Sequence, residues 1–216
     1  MDTKRLTHQE GAWEAIWTRR GPLTRLVDQG REVYNFFFRR YLGRYITQEA
    51  RLLEVGCGTS TLTLSLAGGI TELVGVDIAP AALERSRKSA RSMGVKNARF
   101  EGGDCLDLAY ENAFDVVWSQ GLMEHFDDPE AVAREHYKAV KKGGIALLSV
   151  PYRYSYHALW YLATRPRFLR PLWPWTDQRF YTAQDLLRIG RTITPRARVH
   201  FLQPFPLGLA ILELPK

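Results

Sequence analysis

The sequence predicts an α/β protein built on a doubly wound, mostly parallel sheet. Three observations carry this. Short apolar runs alternate with helix-like stretches between residues 51 and 150. The first run ends in a turn with two glycines, Gly56-Cys57-Gly58, and the second ends in an acid, Asp77. Strands that alternate with helices make βαβ units, and the right-handed crossover rule narrows their topology to a doubly wound sheet.

Five apolar runs are the expected strands: Arg51–Val55, Glu72–Val76, Ala98–Glu101, Phe114–Trp118 and Ile145–Val150. Helices are expected between most of them, at Thr61–Ala67, Ala81–Met93 and Pro129–Lys141. Pro80 and Pro129 suit helix starts, where the missing N–H costs nothing, with Asp127 or Asp128 as the cap of the later helix. Lys141-Lys142-Gly143-Gly144 reads as the end of that helix, because basic residues favour the last turn and glycine favours the left-handed cap. His136 reads as an exposed residue of the same helix.

The chain has 216 residues, enough for one well-cored domain. It divides into a helical lead-in (1–47), a core (48–150), an aromatic segment (151–181) and a last helix with a strand pair (182–216). In the lead-in, Trp13, Ile16 and Trp17, then Val33, Phe36, Phe37, Phe38, Tyr41 and Leu42, follow a helical stripe that reads as packing. Near the other end, Thr182 and Asp185 form a capping-box pair, and Arg198–Gln203 and Leu207–Leu214 read as antiparallel strands joined through Pro204-Phe205-Pro206.

Composition excludes several classes. Hydrophobic residues make up 45% and charged residues 25%, which argues against disorder. No apolar run approaches the length of a spanning helix, and the N-terminus lacks the apolar core of a secretory signal, so the reading is cytoplasmic. The two cysteines, Cys57 and Cys105, have neither disulfide nor metal-site spacing, and no metal is expected. A net charge of +7 points toward anionic partners: nucleic acid, an acidic membrane surface or an anionic substrate.

The chemistry starts at Leu52-Leu53-Glu54-Val55-Gly56-Cys57-Gly58. Gly56 and Gly58 permit a tight turn and let a ligand approach the backbone. Asp77, 23 positions after Glu54, closes the second strand, where a carboxylate can accept both hydroxyls of a ribose. Glu54 discriminates between ligands. Its charge just before the glycines repels a pyrophosphate and suits a ligand with an ammonium and a sulfonium, which favours S-adenosylmethionine over NAD.

With these residues in order, residues 51 to about 150 resemble the class I S-adenosylmethionine-dependent methyltransferases, in the branch of quinone-biosynthesis and other small-molecule enzymes. The resemblance implies a Rossmann-like, seven-stranded, mostly parallel sheet with an antiparallel C-terminal strand. It implies that Glu54, Gly56 and Gly58 meet the methionine part of the cofactor and Asp77 the ribose. Asp104 would bond the adenine amino group and the Cys105 backbone the ring, while Ser119 and Gln120 flank the methyl group after the fourth strand. Cys57 and Ile78 complete the expected cofactor set. The family often has a third glycine where this chain has Ser60, a small residue able to cap the next helix.

Methyl transfer to an oxygen benefits from a base. His125, in Met123-Glu124-His125-Phe126, is one candidate, and His157, after the fifth strand, is a second. The aromatic segment is the expected acceptor cover, with Tyr152, Tyr156, Trp160, Trp173 and Arg179 as candidate contacts. Its interleaved arginines suit a carboxylate, a phosphate or the periphery of an anionic membrane. The expected activity is therefore methyl transfer to a small or lipid-like acceptor, at oxygen. Nucleic-acid methylation and a non-catalytic, cofactor-binding regulator remain the alternatives. The loop Ser119-Gln120-Gly121-Leu122 and the lack of an appended basic domain argue against nucleic acid.

Overall fold

The computed structural model describes residues 11, 13–18, 34–169, 178–202 and 208–216. The chain forms two compact units, Met1–Cys105 and Leu106–Lys216.

The N-terminal unit has helical residues at 13–18 (α1) and 34–42 (α2), followed by strand β1 (Arg51–Val55), helix α3 (Thr61–Leu64), strand β2 (Glu72–Asp77), helix α4 (Pro80–Ser92) and strand β3 (Ala98–Gly102). Its strands lie in the order β3-β2-β1 and are parallel. Leu52, Leu53, Leu73 and Val74 are fully buried, as expected of parallel strands covered on both faces. In α2 the buried side chains are Asn35, Phe38, Tyr41 and Leu42, one helical face, whereas Phe36 is 61% exposed. The stripe expected there is thus narrower than the run of three phenylalanines suggested, and Val33 lies outside the described residues. Helix α3 is a single turn and is followed by a 3-10 turn at Ala67–Gly69, rather than one helix to Ala67.

The C-terminal unit runs β4 (Phe114–Gln120), α5 (Pro129–Ala139), β5 (Val140–Pro151), α6 (Tyr156–Ala163), α7 (Ala183–Arg191), β6 (Arg198–Leu202) and β7 (Leu209–Pro215). Its strand order is β4-β5-β7-β6, with β4 and β5 parallel and β7 antiparallel to both β5 and β6. The seven strands make a mixed Rossmann-like sheet, as expected. The linking residues Pro204-Phe205-Pro206 lie outside the described residues.

Local chemistry accounts for the helix ends. The Asp128 side chain accepts from the Ala131 amide and caps α5. Thr182 and Asp185 form the expected reciprocal capping box at α7. Gly190 lets α7 lie close on the last strands, since a Cβ there would fall 2.7 Å from that of Ala197 and 2.8 Å from a Leu212 methyl.

Two expectations are corrected. Lys141–Gly144 do not end a helix: α5 stops at Ala139, and these residues begin the twelve-residue β5. Pairing wins over the local cap signal there, because Asn112 and Ala113 donate to the carbonyls of Lys138 and Ala139 and lead directly into the Phe114–Val140 pair. His136 is not exposed but fully buried. Its Nδ1 lies 2.8 Å from the Val132 carbonyl, and burial pushes its pKa down to about 4.

Candidate cofactor and acceptor sites

In the N-terminal unit the end of β1 turns sharply at Gly56 (φ 68°) and Gly58 (φ 54°), conformations that side chains disfavour. The amides of Gly56 and Cys57 both donate to the Val76 carbonyl, at 2.8 and 3.1 Å. Asp77 grips the turn from the end of β2: its Oδ2 accepts from the Gly58 amide at 2.8 Å, and its Oδ1 from the Ala79 amide at 3.0 Å. Burial raises the Asp77 pKa, against the pull of these backbone donors. Each carboxylate oxygen holds one backbone N–H and keeps further acceptor capacity, which fits the two hydroxyls of a ribose.

Glu54 is buried and accepts from the Thr63 hydroxyl at 2.5 Å, so α3 fixes its carboxylate. The Cys57 thiol is pushed far up by burial and by the charges of Glu54 and Asp77, so it stays protonated and inert. Ser60 does occupy the position before α3, but its side chain makes no cap bond. It stands at φ 49°, and its hydroxyl receives a hydrogen bond from Ser86 at 3.3 Å. The left-handed backbone is the physical reason a glycine suits this position. Beyond β3 the Gly103 amide donates to the Asp77 carbonyl at 3.1 Å, anchoring the loop that carries Asp104 and Cys105. Ile78, half-buried, follows Asp77 directly.

The donor set therefore suits S-adenosylmethionine: an acid with spare acceptor capacity, a backbone turn open to close approach, and a second buried carboxylate to attract a cation.

In the C-terminal unit Ser119 and Gln120 end β4, paired with Leu148 and Ser149 of β5. The loop after them forms a 3-10 turn at Met123–His125. His125 is half-buried in this turn. His157 lies in the first turn of α6, its Nε2 3.2 Å from the Tyr156 hydroxyl, and burial pushes its pKa down to about 4. Tyr152 bridges Tyr181 and packs edge-on against Phe201 and Tyr154. Arg179 is exposed and pairs with the Asp127 carboxylate at 3.2 Å. Trp160 is half-buried on α6, and Trp173 lies outside the described residues.

A groove of about 1160 Å³ opens in this unit, with Tyr154, Leu159, Leu162, Arg179, Tyr181 and Arg188 among its lining residues. Of the expected acceptor contacts Arg179 lines this space, whereas Tyr152, Tyr156 and Trp160, and the candidate bases His125 and His157, are not among the residues lining it. Among the described residues no cluster of His, Cys, Asp and Glu is arranged to hold a metal.

Glu124, the neighbour of His125, is not among the residues that the sequence singles out. Its carboxyl is completely buried, burial pushes its pKa up to about 8, and its Oε2 has no hydrogen-bond partner among the described residues. An acid flanked by Met123, His125 and Phe126 in a loop carries no sequence sign of burial.

The model of a family described as "Methyltransferase domain" matches residues 46–168. The chain belongs to this methyltransferase family. S-adenosylmethionine is the methyl donor that membership implies. Among curated relatives, the ubiquinone biosynthesis O-methyltransferase of Neisseria meningitidis is 37% identical over 102 residues, 46% of this chain and 43% of that protein. The methyltransferase thus matches less than half the length of that relative. Two solved structures share the fold. The magnesium protoporphyrin IX methyltransferase ChlM of Synechocystis, with bound S-adenosylhomocysteine, superposes with a TM-score of 0.68 at 16% identity, over 94% of this chain and 92% of that one. The YcgJ protein of Bacillus subtilis superposes with a TM-score of 0.59 at 23% identity, over 73% and 66%.

Proposed function

We propose that this methyltransferase transfers a methyl group to an oxygen of a small, lipid-like acceptor. The observation that carries the reading is the groove of the C-terminal unit, lined by Leu159, Tyr161 and Leu162 of α6 together with acidic and basic side chains that include Asp185, Arg179 and Arg188. A flat or chain-bearing acceptor would lie on Leu159, Leu162 and Tyr161, with its polar end toward the arginines. The matched relative's role in ubiquinone biosynthesis supports the choice of oxygen and of an amphiphilic acceptor.

S-adenosylmethionine supplies an activated methyl carbon on a positive sulfur. The residues of this chain then position the acceptor oxygen and take its proton. Glu54, Gly56, Cys57 and Gly58 would seat the methionine part, Asp77 would hold the ribose, and Asp104 and Cys105 would receive the adenine. Bound S-adenosylmethionine would supply the methyl group, and a base of this chain would take the proton of the acceptor hydroxyl. We assign that role to His125, which is not itself among the groove's lining residues but sits in a turn bonded to one of them: the Arg179 amide donates to the Glu124 carbonyl at 2.9 Å. His157 is the weaker choice, because a pKa of about 4 leaves it neutral but only feebly basic.

The same unit carries a surface suited to the periphery of an anionic membrane. Tyr154, Leu159, Leu162 and Phe168 are 66%, 61%, 55% and 81% exposed. The exposed Arg153, Arg165 and Arg167 lie among them in the sequence. Among the described residues no helix is long and apolar enough to cross a membrane.

The test is an assay with S-adenosylmethionine and a panel of catechols, hydroquinone precursors with short prenyl tails, and hydroxylated fatty acids, read by mass spectrometry. Methylation of a phenolic or alcoholic hydroxyl, lost in His125→Ala while cofactor still binds, supports the reading. Cofactor binding without turnover of any of them would favour a regulatory role instead, and methylated oligonucleotide would favour the nucleic-acid alternative.

A further inference from the structure

Helix α1 lies on the part of the N-terminal unit where the cofactor motifs meet. The Trp17 indole packs flush on the glycine turn: a Cβ built on Gly58 would fall 2.6 Å from Trp17 Cη2 and 2.7 Å from Cζ2. One helical turn earlier, Glu14 Oε2 accepts from the Ala81 amide at the start of α4, at 3.0 Å. The guanidinium of Arg85, also on α4, lies 5.9 Å from the centre of the Trp17 ring. Glu14 is also close enough for its charge to raise the pKa of Asp77. Two side chains of α1 therefore converge on the elements that bracket Asp77: the turn whose Gly58 amide it holds and the helix that follows it.

A ligand that rests on Gly56–Gly58 and reaches Asp77 has to pass alongside this pair. We propose that α1 forms a wall of the cofactor site, with Trp17 and Glu14 touching the bound S-adenosyl ligand directly. The inference rests on the cofactor assignment. It adds two residues that no motif of the core contains.

The chemistry suits a cationic ligand. An indole offers its π face to a sulfonium or ammonium, or a stacking surface to a nucleobase. A carboxylate beside Asp77 adds negative charge that attracts S-adenosylmethionine, with its positive sulfur, more than S-adenosylhomocysteine, whose sulfur is neutral. The same contact explains why Gly58 has no side chain: besides its positive φ, any Cβ would collide with the indole.

The test is calorimetric and fluorescence titration of the full chain with both ligands. Wild type, Trp17→Ala, Trp17→Phe and Glu14→Gln are compared, with Asp77→Ala as control. We expect Trp17→Ala to weaken both ligands by roughly fivefold or more, in the range of a lost aromatic stacking contact. Glu14→Gln should weaken S-adenosylmethionine more than S-adenosylhomocysteine, a difference that a merely structural role would not produce. Ligand binding should change the tryptophan emission of wild type by an amount missing from Trp17→Phe, so the wall remains testable even if Trp17→Ala fails to fold. The proposal is overturned if the variants bind both ligands as wild type does. It is equally overturned if Trp17→Phe shows the full wild-type emission change and Glu14→Gln weakens both ligands alike. If wild type binds neither ligand, the cofactor assignment itself fails.

Discussion

Asp77 holds the glycine turn with one carboxylate and, in the proposed cofactor site, would also receive the ribose. Replacing it with alanine removes the acceptor for the Gly58 and Ala79 amides and, on the proposed assignment, the one for the ribose. Asp77→Ala should therefore weaken S-adenosylhomocysteine binding by at least about tenfold, or 1.4 kcal/mol, in calorimetry. It should also lower the melting temperature, whereas Asp77→Asn, which keeps one acceptor oxygen, should fall between. Ser60 presents a different case. Its left-handed backbone carries a strain of about 1–2 kcal/mol for a residue with a Cβ. Ser60→Gly relieves that strain but loses the bond from Ser86 and adds backbone entropy to the unfolded chain, so we expect stability to change by less than about 1 kcal/mol. Ser60→Val keeps the strain, adds branching at Cβ and loses the hydroxyl, and should cost about 2 kcal/mol or more in denaturant unfolding. The place of Asp77 at the end of β2 was legible in the sequence, because the apolar run before it marks the strand. The φ of Ser60 was not, since serine is common in every backbone region.

At the scale of the element, α7 and α6 behave differently. Helix α7 begins with a capping box in which Thr182 and Asp185 satisfy each other's backbone amides. Thr182→Ala should cost about 1 kcal/mol of stability and leave cofactor affinity unchanged. Helix α6 holds its cap too, with Ser155 accepting from Ala158, but it presents Leu159 and Leu162 outward. In co-sedimentation with phosphatidylglycerol vesicles we expect wild type to bind at low salt. We expect Leu159→Glu/Leu162→Glu and Arg165→Glu/Arg167→Glu each to abolish that binding, while neutral vesicles capture little. Equal binding to both vesicle types, or none to either, would remove the membrane reading and leave the groove's acceptor role intact. Both helix starts follow from local bonding chemistry, and the α7 cap was readable from Thr182 and Asp185 alone. The start of β5 was not, because Lys141–Gly144 satisfy a helix cap locally, and it is the distant strand β4 that draws Val140 into the sheet.

For the molecule as a whole, buried titrating groups set the pH profile. Glu124 keeps its proton in the folded protein up to about pH 8, whereas an ordinary glutamate releases it near 4.5. Between those values the folded state binds the extra proton, so stability falls as pH rises and levels off above about 8. His136 and His157 act in the opposite sense. Each stays neutral in the fold down to about pH 4, while the unfolded chain takes up protons below 6.5, so stability falls as pH drops through that window. Above pH 6.5 the histidines no longer contribute and Glu124 dominates. Chemical denaturation should show wild type losing up to about 2 kcal/mol between pH 6.5 and 8, a loss that Glu124→Gln abolishes. A wild-type profile that rises across this interval would contradict the burial of Glu124.

Strand runs, the Gly56–Gly58 turn, the place of Asp77, the helix start at Pro129, the cap at Thr182, and the family itself could all be read along the chain. Each depends on residues close in sequence or on a spacing that the βαβ unit repeats, and the chemistry of glycine, proline and short acids acts over a few bonds. Other features needed the folded chain. Trp17 lies against Gly58, 41 positions away. Glu124 and His136 are buried although each is a polar side chain, and His136 stands between Glu135 and Lys138. Val140 begins a strand where a cap was spelled out. These depend on contacts between distant segments, and a polar side chain's burial or a strand's partner is set by what packs against it, which no local pattern encodes.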